Sequence, residues 1–407
     1  MKIFLFILAV FVIFTFFGCE ESYQISQVER EDLFYLNIGV LEDQIALFNL
    51  LGSRGLNSTD IAMRDGFFYI SDSNGAKILR FNSFGDLLFM IYNEETNPPP
   101  LTLSPYTEGS MLTRWAIPHP LIEPGSIAIN SRNFIYVHDL LSPDRHGYDV
   151  DSSFLLDSTI LQFDAEGRFL NEIGREGIGG SPFPRIEGLY TNLNDDLAVV
   201  CRHISGWSIY WYDSGGNFLY YIQLDRDSIP IPQGRDDLMP SLDKIIAGPD
   251  SRNLYVKVDY YRHIFDESTN TRMGIEPDVS IVWIMNSEEG VWERQIEVPF
   301  FELSYTEQNR RISSRMIYSL LGIMSNERLF FSFPVDGGYS ILVLSSDSGQ
   351  SIMQHQGIIR VSNEELHFNA FDLSHDGILS GLLAGDFQVK LVWWRTDRLL
   401  GEFNAGR

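Results

Sequence analysis

The chain has 407 residues, with 30 Lys and Arg against 55 Asp and Glu, a net charge of −25, 44% hydrophobic residues and two cysteines. Its length and apolar content exclude a disordered chain and allow one large repeat domain or two or three ordinary ones. With no basic stripe along the sequence, the acidic balance excludes nucleic acid as a partner and charge-driven docking on anionic lipid, since both need clustered Lys and Arg.

Met1-Lys2 precede the apolar run Ile3–Phe17, which ends in Gly18-Cys19. As a helix this run is about 22 Å long, short of the roughly 30 Å hydrocarbon core of a bilayer. A lone positive charge, a short apolar core and a small residue before cysteine resemble a bacterial lipoprotein signal. Phe16-Phe17 stand where such signals carry Leu and Ala or Ser. The resemblance implies removal of residues 1–18, an acyl group such as palmitate on Cys19, and a tether over 19–30. It also implies a lipid-anchored location in the cell envelope, periplasmic or surface-exposed. An ordinary secretory signal or an uncleaved anchor fits the same run. With Cys19 acylated, Cys201 has no disulfide partner, so the core alone must hold the fold. Cys201 ends the apolar run Leu197–Cys201 and reads as a buried, inert thiol.

Residues 31–407 read as one all-β domain. The segment 31–52 offers a strand around Asp32–Val40 that can pair with the end of the chain or contribute to a seventh blade. A repeat follows. Its first copy is Ile61–Asp72, Lys77–Phe81 and Gly85–Leu88, and its second is Ile127–Asp139, Ile160–Asp164 and Gly167–Leu170. Both resemble NHL repeats, with an Ile-Ala strand, a turn, a Tyr-Ile-Ser-Asp or Tyr-Val-His-Asp strand, an Ile-x-x-Phe strand and a Gly turn. The resemblance implies a propeller, with Asp72 and Asp139 as structural turn residues. Weaker copies are followed mainly by strand spacing from Ile186, Lys244, Ile317 and Phe368, the last ending in a fourth strand at Arg398–Phe403. Each candidate strand is short, rich in Ile, Val, Tyr, Phe and Trp, and closed by Gly, Asn, Asp or Ser. A lone four-stranded sheet leaves both faces wet, and radial stacking buries them. The expected architecture is therefore a six-bladed β-propeller of four-stranded antiparallel blades, with seven blades if 31–52 contribute to one. A short helix is expected from the capping-box pattern Ser304-Tyr305-Thr306-Glu307 with Ile312 and Met316.

In a propeller the long segments 93–120, 138–158, 172–184, 225–241 and 260–278 fall on one face, and the opposite face carries only tight turns. Long insertions of this kind usually bind something. They carry Trp115, His119, Arg145, His146, Tyr148, Phe183, Tyr260, Tyr261, Arg262, His263 and Phe265, residue types that anchor interfaces. These form the candidate binding face for a protein partner, and the alternative is that each loop folds its own aromatics onto the ring.

No phosphate loop, nucleophile elbow, zinc motif or Cys-x-x-Cys occurs. Asp149-Val150-Asp151-Ser152-Ser153 begins like a calcium loop but lacks the required Gly and distal Glu, so calcium is only weakly supported. His138 with His146, and His263 with Asp259 and Asp266, are pairings that could hold a metal or act as bases, but no catalytic residue, resident metal or cofactor is assigned. The leading functional reading is a non-enzymatic protein-binding scaffold in the bacterial cell envelope, held to the membrane through its lipid anchor. The alternatives are a channel-centred, metal-dependent hydrolase, lactonase or lyase, for which the inner strands offer Asn130, Asn192, Asn369 and Asp372, and a binder of a small ligand such as a glycan or peptide.

Overall fold

The computed structural model describes residues 26–48, 58–109, 113–149, 154–266, 268–307, 310–347 and 351–400. The signal segment and Cys19 lie outside them. Among the described residues no helix is long and apolar enough to cross a membrane.

Strands joined by tight turns pair antiparallel with their successors, because a parallel neighbour would need a long crossover. The first blade is Asp60–Arg64, Phe67–Asp72, Lys77–Asn82 and Leu87–Tyr92. The second is Ile127–Ile129, Ile135–Leu140, Ser158–Phe163 and Phe169–Gly174. The third is Ile186–Thr191, Leu197–Arg202, Gly206–Tyr212 and Phe218–Asp225. The fourth is Met239–Ala247, Asn253–Phe265, Arg272–Asn286 and Val291–Val298. The fifth is Ser319–Met324, Arg328–Val335, Gly338–Asp347 and Ser351–Arg360.

The chain is thus an all-β propeller of four-stranded antiparallel blades, five of them cut from consecutive strands where six were expected. The last repeat supplies only three strands, Phe368–Leu373, Leu379–Ala384 and Gln388–Trp394. The strand expected at Arg398–Phe403 does not follow. Thr396–Leu400 form a 3-10 turn, with Arg395 paired to Asp397 at 2.9 and 2.7 Å; residues 401–403 lie outside the described ones. Its place is taken by Arg30–Asn37, antiparallel to Gln388–Trp394. The N-terminal segment therefore closes this sheet instead of joining a seventh blade. Just before it, Ser26–Gln27 run parallel to the outer strand of the fifth blade, so one short stretch of chain stitches two neighbouring sheets.

Middle strands are buried on both faces, as radial stacking requires; Ser158–Phe163 and Leu379–Ala384 are buried at every residue. Apolar clusters lie between neighbouring sheets. Trp211 and Leu254 share one between the third and fourth blades, and Leu342 and Val282 share another between the fourth and fifth. The cluster of Phe34, Leu36, Phe68, Phe81, Leu382 and Leu391 joins the closing sheet to the first blade. At that junction Gly85 has φ +85°. A Cβ there would lie 2.8 Å from Cβ of Phe34, so the turn accepts only glycine while Phe34 is seated. The closing sheet is also held by charge. Nη1 and Nη2 of Arg30 each donate to Glu365 at 2.8 Å.

Several insertions are structured differently from expectation. Residues 260–278 are no loop: Asn253–Phe265 and Arg272–Asn286 run on past their blade as a two-stranded ribbon. Within 138–158, Gly147–Asp149 pair with Phe154–Leu156. The helix expected around Ser304–Met316 is a hairpin, Phe301–Glu307 against Arg310–Met316. The apolar alternation Phe301, Leu303, Tyr305 with a continuous ladder prevails over one local cap signal, a common outcome where tertiary pairing is available.

Candidate functional site

The first strand of each repeat faces the axis, and each lies beside the first strands of both neighbours. They enclose a channel of about 1120 Å³ whose wall includes Asp60, His138, Tyr190, Lys244, Asp372 and His375. Asp60 opens the first blade. Its Oδ1 accepts from the Ile61 amide at 2.9 Å and its Oδ2 from the Ile127 amide at 3.3 Å, which ties the first blade to the second. Asp372 Oδ2 accepts from the Met63 amide at 2.8 Å and ties the closing sheet to the first blade. Lys244 Nζ donates to the Leu321 carbonyl at 3.3 Å, and the Tyr190 hydroxyl donates to the Ile245 carbonyl at 3.2 Å.

These groups face channel space yet are ringed by protein, and that enclosure shifts their ionisation. Burial pushes Asp60 up to about 6, against the Ile61 and Ile127 amides and the Lys244 charge. Burial pushes Asp372 up to about 7, with the Asp60 charge adding to it and the Met63 amide opposing. Burial lowers Lys244, opposed by Asp243 and Asp60. It also lowers His138 to about 4, so the imidazole is neutral. His375 is lowered too, by burial and by Arg64, whose Nη1 lies 3.3 Å from its Nδ1.

A carboxyl whose folded pKa is raised contributes stability that is complete below its unfolded value and is lost as pH rises through the folded one. For Asp372 that window runs from about 3.8 to about 7. The Asp372→Asn variant keeps an acceptor for the Met63 amide and never ionises. Its unfolding free energy is expected to exceed that of the unaltered protein by about 1–2 kcal/mol at pH 8, an advantage that vanishes near pH 4. Thermal melts of both proteins across that range check this, and a variant no more stable at pH 8 refutes it.

The residues foreseen from sequence as binding face are mostly engaged by the fold. Phe183 and Tyr260 are fully buried. Phe183 packs on Tyr210 and Tyr212; the Tyr260 hydroxyl donates to the Pro230 carbonyl and accepts from the Trp283 indole at 2.8 Å. Trp115 stacks on Phe89 and donates to the Glu166 carbonyl at 2.8 Å, and His119 stacks on Phe169. Arg145 pairs with Glu172, and His146 Nε2 lies 2.9 Å from the Leu141 carbonyl. Tyr261 is half-buried, while Arg262 pairs with Glu276 at 2.6 Å and Asp278 at 3.5 Å. His263 Nδ1 is buried without a partner, its ring edge-on to half-exposed Phe265. Of the eleven, Tyr148 is 62% exposed, and Arg145, His146, Arg262 and Phe265 are exposed as well.

Of the inner-strand residues foreseen for a channel site, only Asp372 lines the cavity. Asn130 and Asn192 spend their amide oxygens on the backbone of their own turns, and Asn369 is exposed outside it. Asp139 accepts from the Ile122 and Glu123 amides, and Asp72 from those of Ala46 and Gly75, so both clamp connections between strands. Asp259 binds Lys257, and Asp266 caps its own turn through Ser268 and Thr269, which leaves neither as a partner for His263. Asp149 pairs with Arg175 at 3.5 Å, and residues 150–153 lie outside the described ones. Among the described residues no group of three or more His, Cys, Asp or Glu is placed to hold a metal ion. Cys201 is fully buried, and burial raises its thiol well above the ordinary value.

Asp60 and Lys244 escaped the sequence reading. The signal was there: Asp60, Ser126 and Lys244 each precede an apolar stretch, Ile61-Ala62, Ile127-Ala128 and Ile245-Ile246, at equivalent places in their repeats.

No family model matches the chain, and no curated protein matches it. Among solved structures it is similar to the β-propeller domain of the Trilobed protease from Pyrococcus furiosus, at 10% identity over 83% of this chain and 93% of that one, with a TM-score of 0.37. It is similar to a candidate gluconolactonase at 10% identity over 92% and 96%, TM-score 0.40. A candidate exported protein from Bacteroides fragilis matches at 11% identity over 91% and 98%, TM-score 0.36.

Proposed function

We propose that this chain is a lipid-anchored propeller, six-bladed with the closing sheet counted, that acts as a non-enzymatic protein-binding scaffold in the bacterial cell envelope. The observation that carries the reading is the ribbon of the fourth blade. Beyond Tyr261 its two strands have only each other, since the inner strand of that blade stops pairing there. Near its tip Ile264, Phe265, Met273 and Ile275 are 37%, 50%, 70% and 52% exposed. A grouped apolar tip on a projecting ribbon is costly in water and is covered in a complex. Tyr148 and Leu155 on the small hairpin of the second blade are similarly exposed. The apolar run Ile3–Phe17 with Gly18-Cys19 supports acylation of Cys19, and two or more acyl chains suffice to hold a protein on a membrane.

Affinity capture of the full chain from detergent-solubilised envelope tests this. The triple variant Phe265→Ser, Met273→Ser, Ile275→Ser is expected to lose the captured protein while melting as the unaltered chain does, because those side chains support no core. Cys19→Ser is expected to move the chain into the soluble fraction. Recovery of the same protein by the triple variant, or of none by the unaltered chain, overturns the scaffold reading.

A further inference from the structure

Several charges outside the channel are matched at contact distance: Lys257 Nζ lies 2.7 and 2.9 Å from Asp259, Arg252 Nε 2.8 Å from Asp196, and Arg30 2.8 Å from Glu365. In the channel, Asp60, Lys244 and Asp372 carry opposite charges within one enclosed space, and among the described residues no ion pair joins them. Asp372 Oδ1 takes no hydrogen bond among those residues, and Lys244 Nζ has a single carbonyl acceptor for three N–H groups. His138, on the same wall, has its Nε2 buried without a partner. Asp60, Lys244 and Asp372 are half-buried, their charges facing the channel, and a partner that brings both signs gives Asp372 and Lys244 the contact-distance counter-charges that they lack among the described residues.

We propose that the central channel binds a small zwitterion, a free α-amino acid or short peptide, with its ammonium on Asp372 and its carboxylate on Lys244. The Asp60 charge favours the ammonium form of Lys244 and opposes ionisation of Asp372, an opposition that a bound ammonium offsets. The wall carries further groups of both signs, among them Glu123, Asp157, Glu187, Arg64 and Arg185, so a ligand bearing both charges is met at each end. The cavity, about 1120 Å³, has room for a short peptide. This inference does not depend on the ribbon or on the anchor.

The test is calorimetric titration of the detergent-solubilised full chain with glycine, L-alanine, L-alanyl-L-alanine and L-alanyl-L-alanyl-L-alanine. Each is compared with its N-acetylated and its C-amidated form, which lack one charge. At least one zwitterion is expected to bind with Kd below about 1 mM, and its two blocked forms roughly tenfold or more weakly. In Asp372→Asn the penalty for N-acetylation is expected to disappear, and in Lys244→Met the penalty for C-amidation. The comparison of blocked and unblocked ligands on the unaltered chain decides the matter even where a variant does not fold. Absence of binding by every zwitterion, or equal binding of blocked and unblocked forms, overturns the proposal.

Discussion

Replacing Glu365 with alanine is expected to cost about 2–4 kcal/mol near neutral pH, because it leaves two cations beside a sheet they no longer hold. Glu365 is 8% exposed and receives Arg30 at 2.8 Å through both carboxylate oxygens, with Lys390 donating to the same group. It also accepts from the Ser362 amide at 3.1 Å in its own capped turn. Arg30 belongs to the N-terminal strand and Lys390 to the last one, so a single carboxylate joins the two ends of the ring. The Arg30 hydrogen bond holds the Glu365 carboxyl well below the usual carboxylate range, against the effect of burial. A depressed carboxyl stabilises the fold above its unfolded value, about 4.5, and that contribution fades as pH falls below it. Denaturant titrations at pH 7 and at pH 3 should therefore show a larger gap between Glu365→Ala and the unaltered chain at pH 7 than at pH 3, where the folded carboxyl is still ionised and only part of its contribution is lost. Equal gaps at both would show that the side chain acts by packing and not by charge.

Trp394→Ala is expected to be more damaging still, at about 3–5 kcal/mol. The indole is fully buried between the closing sheet and the fifth blade, among Phe330, Val343, Ile359 and Leu383. Arg30 lies over its ring at 5.9 Å, and Phe371 packs against it at 6.1 Å. Gly381 opposite is fitted to it, since a Cβ there would fall 2.9 Å from the indole Cζ3. Among the described residues the indole Nε1 has no hydrogen-bond partner. Trp394→Phe, which removes that unpaired donor with part of the ring, is therefore expected to cost less than about 2 kcal/mol. Equilibrium unfolding of the two variants checks the pair of values, and a Phe variant as unstable as the Ala variant would mean that the N–H is satisfied in solution.

The fold was readable where the sequence repeats itself plainly. The strands Ile61–Asp72 and Ile127–Asp139 each fall on the two inner positions of a blade, because a strand buried on both faces leaves a dense apolar record between turn residues. The ends of the chain were harder. The strand around Asp32–Val40 was legible as a partner for the end of the chain, but nothing local set its register on Gln388–Trp394, since a pairing across most of the chain leaves no periodic trace. The Ser304 segment misled because a capping box is one weak local term and a hairpin ladder is many. On the loop-rich face, residue type alone could not separate Tyr260, which serves the core, from Tyr148, which meets water. In the channel, Asp60 and Lys244 were obscured because each is one ionisable residue at the edge of an apolar stretch. Their joint meaning appears only once strands far apart in sequence face one axis.

The ring's closure has a kinetic consequence. Residues 30–37 are made early, yet their ladder partners at 388–394 are nearly the last to be synthesised. Non-local pairing of that kind is slow, and it exposes an unpaired edge to aggregation while it waits. The first blade offers a holding place, because Phe34 packs on Phe68 and Phe81, and Asp72 binds the Ala46 amide, without any help from the C-terminal strands. A nascent chain can thus park its opening strand on its earliest sheet and leave only the outer edge free, ready for the final segment to zip into place.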